Sequence, residues 1–291
     1  MPNKVLSKKK RYFYLFLCVI AFFVLSPIVS FYATGYRLGD KFELMKTGGI
    51  YVVTGGKDFN VFVDGVEQTS SSIFRRNFLV QDIRPKIYNV KVEKEGFVTW
   101  SKDVNVYPEK VNELYPFNLP EEIVLTEIPK QVYPEGVATT TKTKKVDNKE
   151  FVYVKNLFLA TSTKSLINEK VSTGTSTEDK NLAIHKKVVL EVSSDEILAK
   201  WFGDIDVAPL YFCDLNKCVN EITVYKGEEI KKAELFFGRD DLVIFSTKNG
   251  IYLTEIDGKG GRNTQTLAKG NYDFKIDKEG IIYLKKDKDV F

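Results

Sequence analysis

The sequence predicts an all-β exterior, a small antiparallel β-sandwich followed by propeller-like β-meander repeats, carried on one N-terminal transmembrane α-helix. Three observations predict it. Residues 12–33 hold no charged side chain. Residues 49–119 break into short runs rich in Val, Ile, Tyr and Phe, separated by Gly, Asp, Asn and Pro. Beyond residue 188, a strand and turn pattern recurs at an offset of about 35 residues, the texture of propeller blades.

The first element is "YFYLFLCVIAFFVLSPIVSFYA", Tyr12 to Ala33. At a rise of about 1.5 Å per residue this run spans roughly 33 Å, enough to cross a hydrocarbon core of about 30 Å. Ser26, Pro27 and Ser30 interrupt its second half, where a kink is tolerated because hydroxyls and nearby carbonyls re-satisfy the backbone. The alternative is a cleaved signal peptide, which calls for an apolar region of about 7 to 15 residues and a small-x-small cut site. This run is longer, and the best cut, after Ser30 with Ile28 two residues before it, is poor.

Lys4, Lys8, Lys9, Lys10 and Arg11 precede the run, against Arg37, Lys41 and Lys46 after it. That bias places the N-terminus inside, with residues 1–11 as a short cytoplasmic tail in a single-pass cell-membrane topology, and the remainder extracytoplasmic. Tyr12, Phe13 and Tyr14 before the run, and Phe31, Tyr32 and Tyr36 after it, suit the two interfaces. The lipid bilayer is thus a partner through residues 12–33.

Charge is read on the same division. The chain carries 43 Lys plus Arg against 39 Asp plus Glu, and setting aside the five basic residues of the tail leaves 38 against 39. A near-neutral exterior gives no footprint for a phosphate backbone, so no nucleic acid is expected as a partner.

In the second element, residues 48–120, "NVFVDG" and "YNVKVEKEG" alternate apolar and polar residues, so Val61 and Val63, or Val90 and Val92, would point to one face of a sheet. Asp64-Gly65 supplies a tight turn. Six short strands in about 70 residues make a small antiparallel sandwich. The segments "VFVDG" at 61–65, "IYNVKVEKEGFVTWSKDVNV" at 87–106 and "KVNELYPFNL" at 110–119 resemble the PEGA domain, a β-sandwich of prokaryotic envelope and surface proteins. The chain departs from that pattern at "QTSSSIF" (68–74), where a Thr-Pro is usual, and at "RPKIYNV" (84–90), where a Pro-Gly is usual. "PEGVA" at 134–138 lies beyond the region. The resemblance implies a surface-exposed adhesion, spacing or binding module with no shared catalytic residues.

The third element, residues 121–291, begins with "TEIPKQVYPEGVATTTKTKKVDNKE" and "TSTKSLINEKVSTGTSTEDKN", Thr, Ser and Lys rich, which read as mobile loops flanking a strand "FVYVKNLFLA" at 151–160. Then "AKWFGDIDVAPLYFCDLNKCVNEITVY" (199–225) can be laid over "AELFFGRDDLVIFSTKNGIYLTEID" (233–257), with a partial third unit at 272–287. About four such units fit, as an incomplete propeller or as an open stack of meanders.

Chemistry is sparse in this sequence. The single histidine, His185, leaves no ready Ser-His-Asp set, and neither G-x-S-x-G nor G-x-x-x-x-G-K-[ST] occurs. "GKGG" at 258–261 reads as a loop joining blades. Asp204 and Asp206 in "FGDIDV", with Asp240 and Asp241 in "FGRDDL", recur at one place in two repeats. Such acids fit tight turns, could bind calcium, or could run glycoside hydrolysis. The sequence reading is therefore a non-catalytic envelope protein, with no cofactor expected beyond calcium, and cell-wall glycan or a surface protein as partner. The alternative is an extracytoplasmic glycan hydrolase using the acidic turns.

Cys213 and Cys218 in "YFCDLNKC" are two of three cysteines. Two thiols and one distant histidine do not fill a zinc tetrahedron, and a thioredoxin-like centre wants two residues between its cysteines. Cys18 lies in the membrane run. With Tyr211–Cys213 and Cys218–Glu221 as hairpin arms around "DLNK", the cysteines face each other, and an oxidising exterior predicts a disulfide between them.

Overall fold

A computed structural model describes residues 8–39, 43–69, 77–132, 146–159, 187–214 and 217–291. The described chain is mostly β, in several small sheets, with one N-terminal apolar helix. It divides into two compact units, the first comprising 1–94 and 99–117, the second 95–98 and 118–291.

The first unit opens with α1 (Lys8–Ala33), which starts one turn ahead of the uncharged run and buries none of its residues. It is the one helix among the described residues long and apolar enough to cross a membrane. Pro27 is accommodated within it. Its end is closed by local bonds: the Thr34 hydroxyl donates to the Ser30 and Phe31 carbonyls at 2.9 and 3.1 Å, and Gly35, at φ 82, donates to the Tyr32 carbonyl. A glycine in this left-handed conformation is the usual way to stop a helix and turn the chain.

Two short strands follow, β1 (Tyr36–Leu38) and β2 (Leu44–Lys46), paired antiparallel. The sandwich proper is built from β3 (Gly48–Val53), β4 (Asn60–Val63), β5 (Val66–Gln68), β6 (Asn77–Ile83), β7 (Ile87–Glu93), β8 (Trp100–Asn105) and β9 (Val111–Leu114). One sheet has the order β6-β3-β9 and the other β5-β4-β7-β8. Among the described residues there are seven strands rather than six, and the ladder is not wholly antiparallel, because β3 and β9 run parallel with Gly49 opposite Val111. The alternation expected from sequence appears in burial: Val61, Val63, Tyr88, Val90 and Val92 are buried, as are Ile50, Val52, Trp100 and Val104. Asp64 and Gly65 connect β4 to β5 with φ of 50° and 78°, the pair of positive values that a two-residue hairpin needs.

The second unit departs further from expectation. The stretch read as loops contains a two-residue antiparallel pair, β10 (Gln131–Val132) with β11 (Val146–Asp147). The segments carrying "PEGVA" and His185 lie outside the described residues. "FVYVKNLFLA", read as a strand, is instead α2 (Lys149–Leu159). Its local V-x-V alternation mimics a strand, but Phe151, Val154, Leu157 and Phe158 also fall at helical spacing, and they pack with Ile128, Tyr283 and Val290. Asn148 caps it, its side-chain oxygen accepting from the Glu150 N–H at 3.0 Å.

The repeat region consists of β12 (Val188–Val192), β13 (Glu196–Trp201), β14 (Cys213–Asp214), β15 (Lys217–Cys218), β16 (Glu221–Lys226), β17 (Ile230–Leu235), β18 (Leu242–Thr247), β19 (Gly250–Glu255), β20 (Thr264–Lys269), β21 (Asp273–Ile276), β22 (Ile282–Lys286) and β23 (Asp289–Val290). They form meanders of order β12-β13-β16, β17-β18-β19-β20 and β21-β22-β23. Among the described residues these sheets do not close into a propeller. The two aligned repeats are also unequal. "VIFST" lies in the fully buried β18, whereas "LYFCD" makes a 3-10 turn and the two residues of β14. The meander β12-β13-β16 has three strands because turns and a hairpin stand where a further strand was expected. "GKGG" joins β19 to β20 within one sheet rather than joining blades. Val188, Ile197, Trp201, Phe212, Val243 and Phe245 belong to one buried cluster of this unit.

Candidate functional site

The residues singled out by sequence gather around the loop between β13 and β16. Trp201, the last residue of β13, is buried against Phe212, and its indole N–H donates to the Asp204 carbonyl at 2.9 Å. Asp204 then caps a single 3-10 turn, Ile205–Val207, by accepting from the Asp206 N–H at 3.3 Å. Pro209 opens a second 3-10 turn, Leu210–Phe212, which buries Phe212 and leads into Cys213.

Cys213 and Cys218 are joined by a disulfide with their Cα atoms 3.9 Å apart, and they are directly opposed across β14 and β15. The hairpin arms are shorter than expected. Tyr211 and Phe212 belong to the 3-10 turn, Cys213–Asp214 pairs with Lys217–Cys218, and Glu221 already belongs to β16. The Val219 N–H donates to the Phe212 carbonyl at 2.9 Å, closing the base of the hairpin.

Two further contacts fix this loop to the neighbouring meander. Lys259, in the "GKGG" turn, donates to the Leu210 and Cys213 carbonyls at 2.8 and 2.7 Å. The Tyr211 hydroxyl donates to the Asp240 carbonyl at 2.9 Å. Burial, followed by the charges of Asp240 and Asp241, pushes the Tyr211 phenol far above its ordinary range, so it serves as a donor and not as a base.

The acidic turns do not behave as one set. Asp241 is gripped by Arg239 through two hydrogen bonds of 2.6 Å, a fork-to-carboxylate pair. Burial opposes the Arg239 charge, but the hydrogen bonds and charge of Asp241, with the charges of Glu255 and Asp240, together raise the guanidinium pKa. Asp204 and Asp206 sit on the separate 3-10 turn, and Asp206 is exposed. Among the described residues no three His, Cys, Asp or Glu side chains group as a metal site. Gly203 and Gly238, aligned in the repeat, also differ, since only Gly238 takes a positive φ, of 73°. Equivalent sequence positions therefore hold different backbone conformations.

Arg262, in the connection from β19 to β20, ties that connection to β16. Its guanidinium donates to the Val224 and Ile256 carbonyls at 2.7 and 2.9 Å, and burial lowers its pKa. Apolar side chains of the loop are exposed, Phe202 at 69% together with Val207 and Leu210, and so are the carboxylates Asp204 and Asp206.

Sequence reasoning missed Arg239, Lys259 and Tyr211. Arg239 had a signal, an arginine two residues before Asp241 in a tight turn. Lys259 and Tyr211 had none, because each acts on a backbone carbonyl far away in sequence. No protein-family model matches the chain, and no curated protein matches it.

Proposed function

We propose that the chain is a single-pass membrane protein, N-terminus cytoplasmic, that displays a PEGA-like β-sandwich and a β-meander domain outside the cell for non-catalytic binding or scaffolding at the envelope. The observation that carries the reading is the pairing of one apolar helix, preceded by basic residues, with a disulfide in the portion beyond it. Disulfides persist in oxidising compartments, and the basic bias favours an orientation with that portion on the oxidising side.

Binding is favoured over turnover because the acidic side chains already have structural partners or stand apart, as Arg239 with Asp241 and the Asp204 cap illustrate. A loop held by Lys259 and Tyr211, with exposed Phe202, Val207 and Leu210, suits contact with a cell-wall glycan or a surface protein. The experiment is protease treatment of intact cells bearing distinct tags at the two ends. The reading expects digestion of the portion after residue 40 with the N-terminal tag protected. Protection of the C-terminal tag refutes it, and a released species beginning near Phe31 favours a cleaved signal instead.

A further inference from the structure

Arg37 lies over the Tyr32 ring with its guanidinium carbon 3.7 Å from the centroid, and it donates to the Tyr32 carbonyl at 2.9 Å. The same guanidinium pairs with Asp82 at 2.8 Å. The Thr47 N–H and hydroxyl both bond the Gly35 carbonyl, at 3.0 and 2.9 Å. The helix end and the sandwich are thus locked together through residues at both sides of the joint, and Asp82 on β6 is one side chain removed from the last helical turn.

Asp82 also lines an open cleft of about 650 Å³, with Met45, Ile83, Arg84, Pro85, Lys86 and Tyr88. Arg84 reaches back to the Leu38 carbonyl at 3.3 Å, Lys86 pairs with Asp64 at 2.6 Å, and the Lys86 ammonium stands 4.4 Å from the centre of the Tyr88 ring. Next to the cleft, the cross-strand partners Leu38 and Leu44 are 52% and 54% exposed. Two leucines opposite one another on a short hairpin are an odd feature of a surface facing water. On the reading of α1 as a membrane span, Leu38 stands five residues beyond the helix end and Leu44 opposite it, within reach of the headgroup layer, where apolar tips are favoured.

We propose that this cleft and hairpin form a binding site for the phosphate headgroup of an anionic phospholipid in the adjoining leaflet, with Arg84 and Lys86 on the phosphate and Leu38 and Leu44 entering the acyl boundary. The inference rests on reading α1 as a membrane span. Continuity selects the bilayer as the occupant, since the cleft wall is tied to α1 through Asp82, Arg37 and Tyr32. Charge admits an anionic headgroup: Asp82 is answered by Arg37 and Lys86 by Asp64, each from outside the lining, and the Lys86–Asp64 pair is open to solvent, its side chains 54% and 37% exposed, so a phosphate can compete for Lys86 beside Arg84.

The test uses the full chain in nanodiscs of equal parts phosphatidylcholine and phosphatidylglycerol, with retained lipid read by native mass spectrometry. Retained lipid is expected to be enriched in phosphatidylglycerol, and the Arg84→Gln/Lys86→Gln double variant should lower that enrichment by about fivefold or more, given the usual contribution of a basic residue near an anionic surface. The charge-preserving Arg84→Lys/Lys86→Arg variant should keep it. In parallel, a nitroxide on Leu44→Cys in a Cys18→Ser background should be shielded from a water-soluble relaxation agent. Unchanged lipid selectivity in the double variant overturns the proposal, as does a fully water-exposed Leu44→Cys label in protein that resists carbonate extraction. Extraction of the wild-type chain by carbonate overturns the membrane reading itself, and this proposal with it.

Discussion

Replacing both cysteines, Cys213→Ser/Cys218→Ser, should destabilise the second unit by a definite amount. The bond closes a loop of six residues, five apart in sequence. The chain-entropy relation for a loop of that size gives about 2 kcal/mol at 25 °C. In a unit of this size each kcal/mol moves the melting temperature by about 2–4 °C, so a fall of about 4–8 °C follows. Both cysteines are half-buried, so the two hydroxyls add little desolvation cost. The assay is thermal unfolding of the detergent-solubilised full chain, with and without a dithiol reductant. Reductant should bring wild type to the variant's midpoint and leave the variant unmoved. Exchange of the Val219 amide, which bonds Phe212 at the hairpin base, should quicken in the same variant. A midpoint shift under about 1 °C, or a reductant effect of equal size in both proteins, would refute the view that the bond pins the loop into the cooperative unit.

Val154 is 0% exposed in α2, so Val154→Ala should cost about 2 kcal/mol in denaturant unfolding through lost apolar burial and a residual cavity, whereas exposed Val152→Ala should cost little. Asn148→Ala removes the cap of the same helix and should cost about 1 kcal/mol. The hydrogen bond from Lys86, then that from the Asn89 N–H, lowers the Asp64 carboxyl pKa. A lowered folded-state value contributes stability that is present above the ordinary aspartate range and is lost as pH falls through the lowered value. NMR titration should therefore find Asp64 below 3.8, returning toward it in Lys86→Met. Asp241→Asn breaks the pair with Arg239 and should cost about 1–3 kcal/mol, against a near-neutral Asp206→Asn. Under the binding reading, none of the Asn variants at Asp204, Asp206, Asp240 or Asp241 should abolish a glycan-cleaving activity, because the purified chain should have none. Glycan cleavage lost on one of these substitutions would revive the hydrolase alternative.

What could be read from sequence was what local pattern encodes. The uncharged run of α1, the period-two burial of Val61, Val63, Val90 and Val92, and the Asp64-Gly65 turn depend on near neighbours. The opposed cysteines of the β14–β15 hairpin also follow from short-range spacing. The misreadings arise where tertiary contacts arbitrate. "FVYVKNLFLA" satisfies both a two-residue and a helical period over its first residues, and packing on Ile128, Tyr283 and Val290 goes with the helical one. The parallel pairing of β3 with β9 joins strands at opposite ends of the sandwich sequence, which no local signal reports. The repeat alignment equated Gly203 with Gly238 and "LYFCD" with "VIFST". The inserted 3-10 turns and the disulfide hairpin changed the first copy enough that letters correspond while conformations do not. The acidic turns were visible as residue types, but their separation into an Asp204 cap and an Asp241–Arg239 pair depends on that same difference.

The central claim, that everything beyond α1 faces the oxidising side of a membrane, is tested most directly by the state of Cys213 and Cys218 in intact cells. A membrane-impermeant maleimide is applied before and after an impermeant phosphine reductant, and labelled peptides are mapped by mass spectrometry. The account predicts no labelling of either cysteine before reduction and labelling of both after it, with Cys18 unlabelled throughout. Labelling of both only after the cells are lysed, without any reductant, would contradict it.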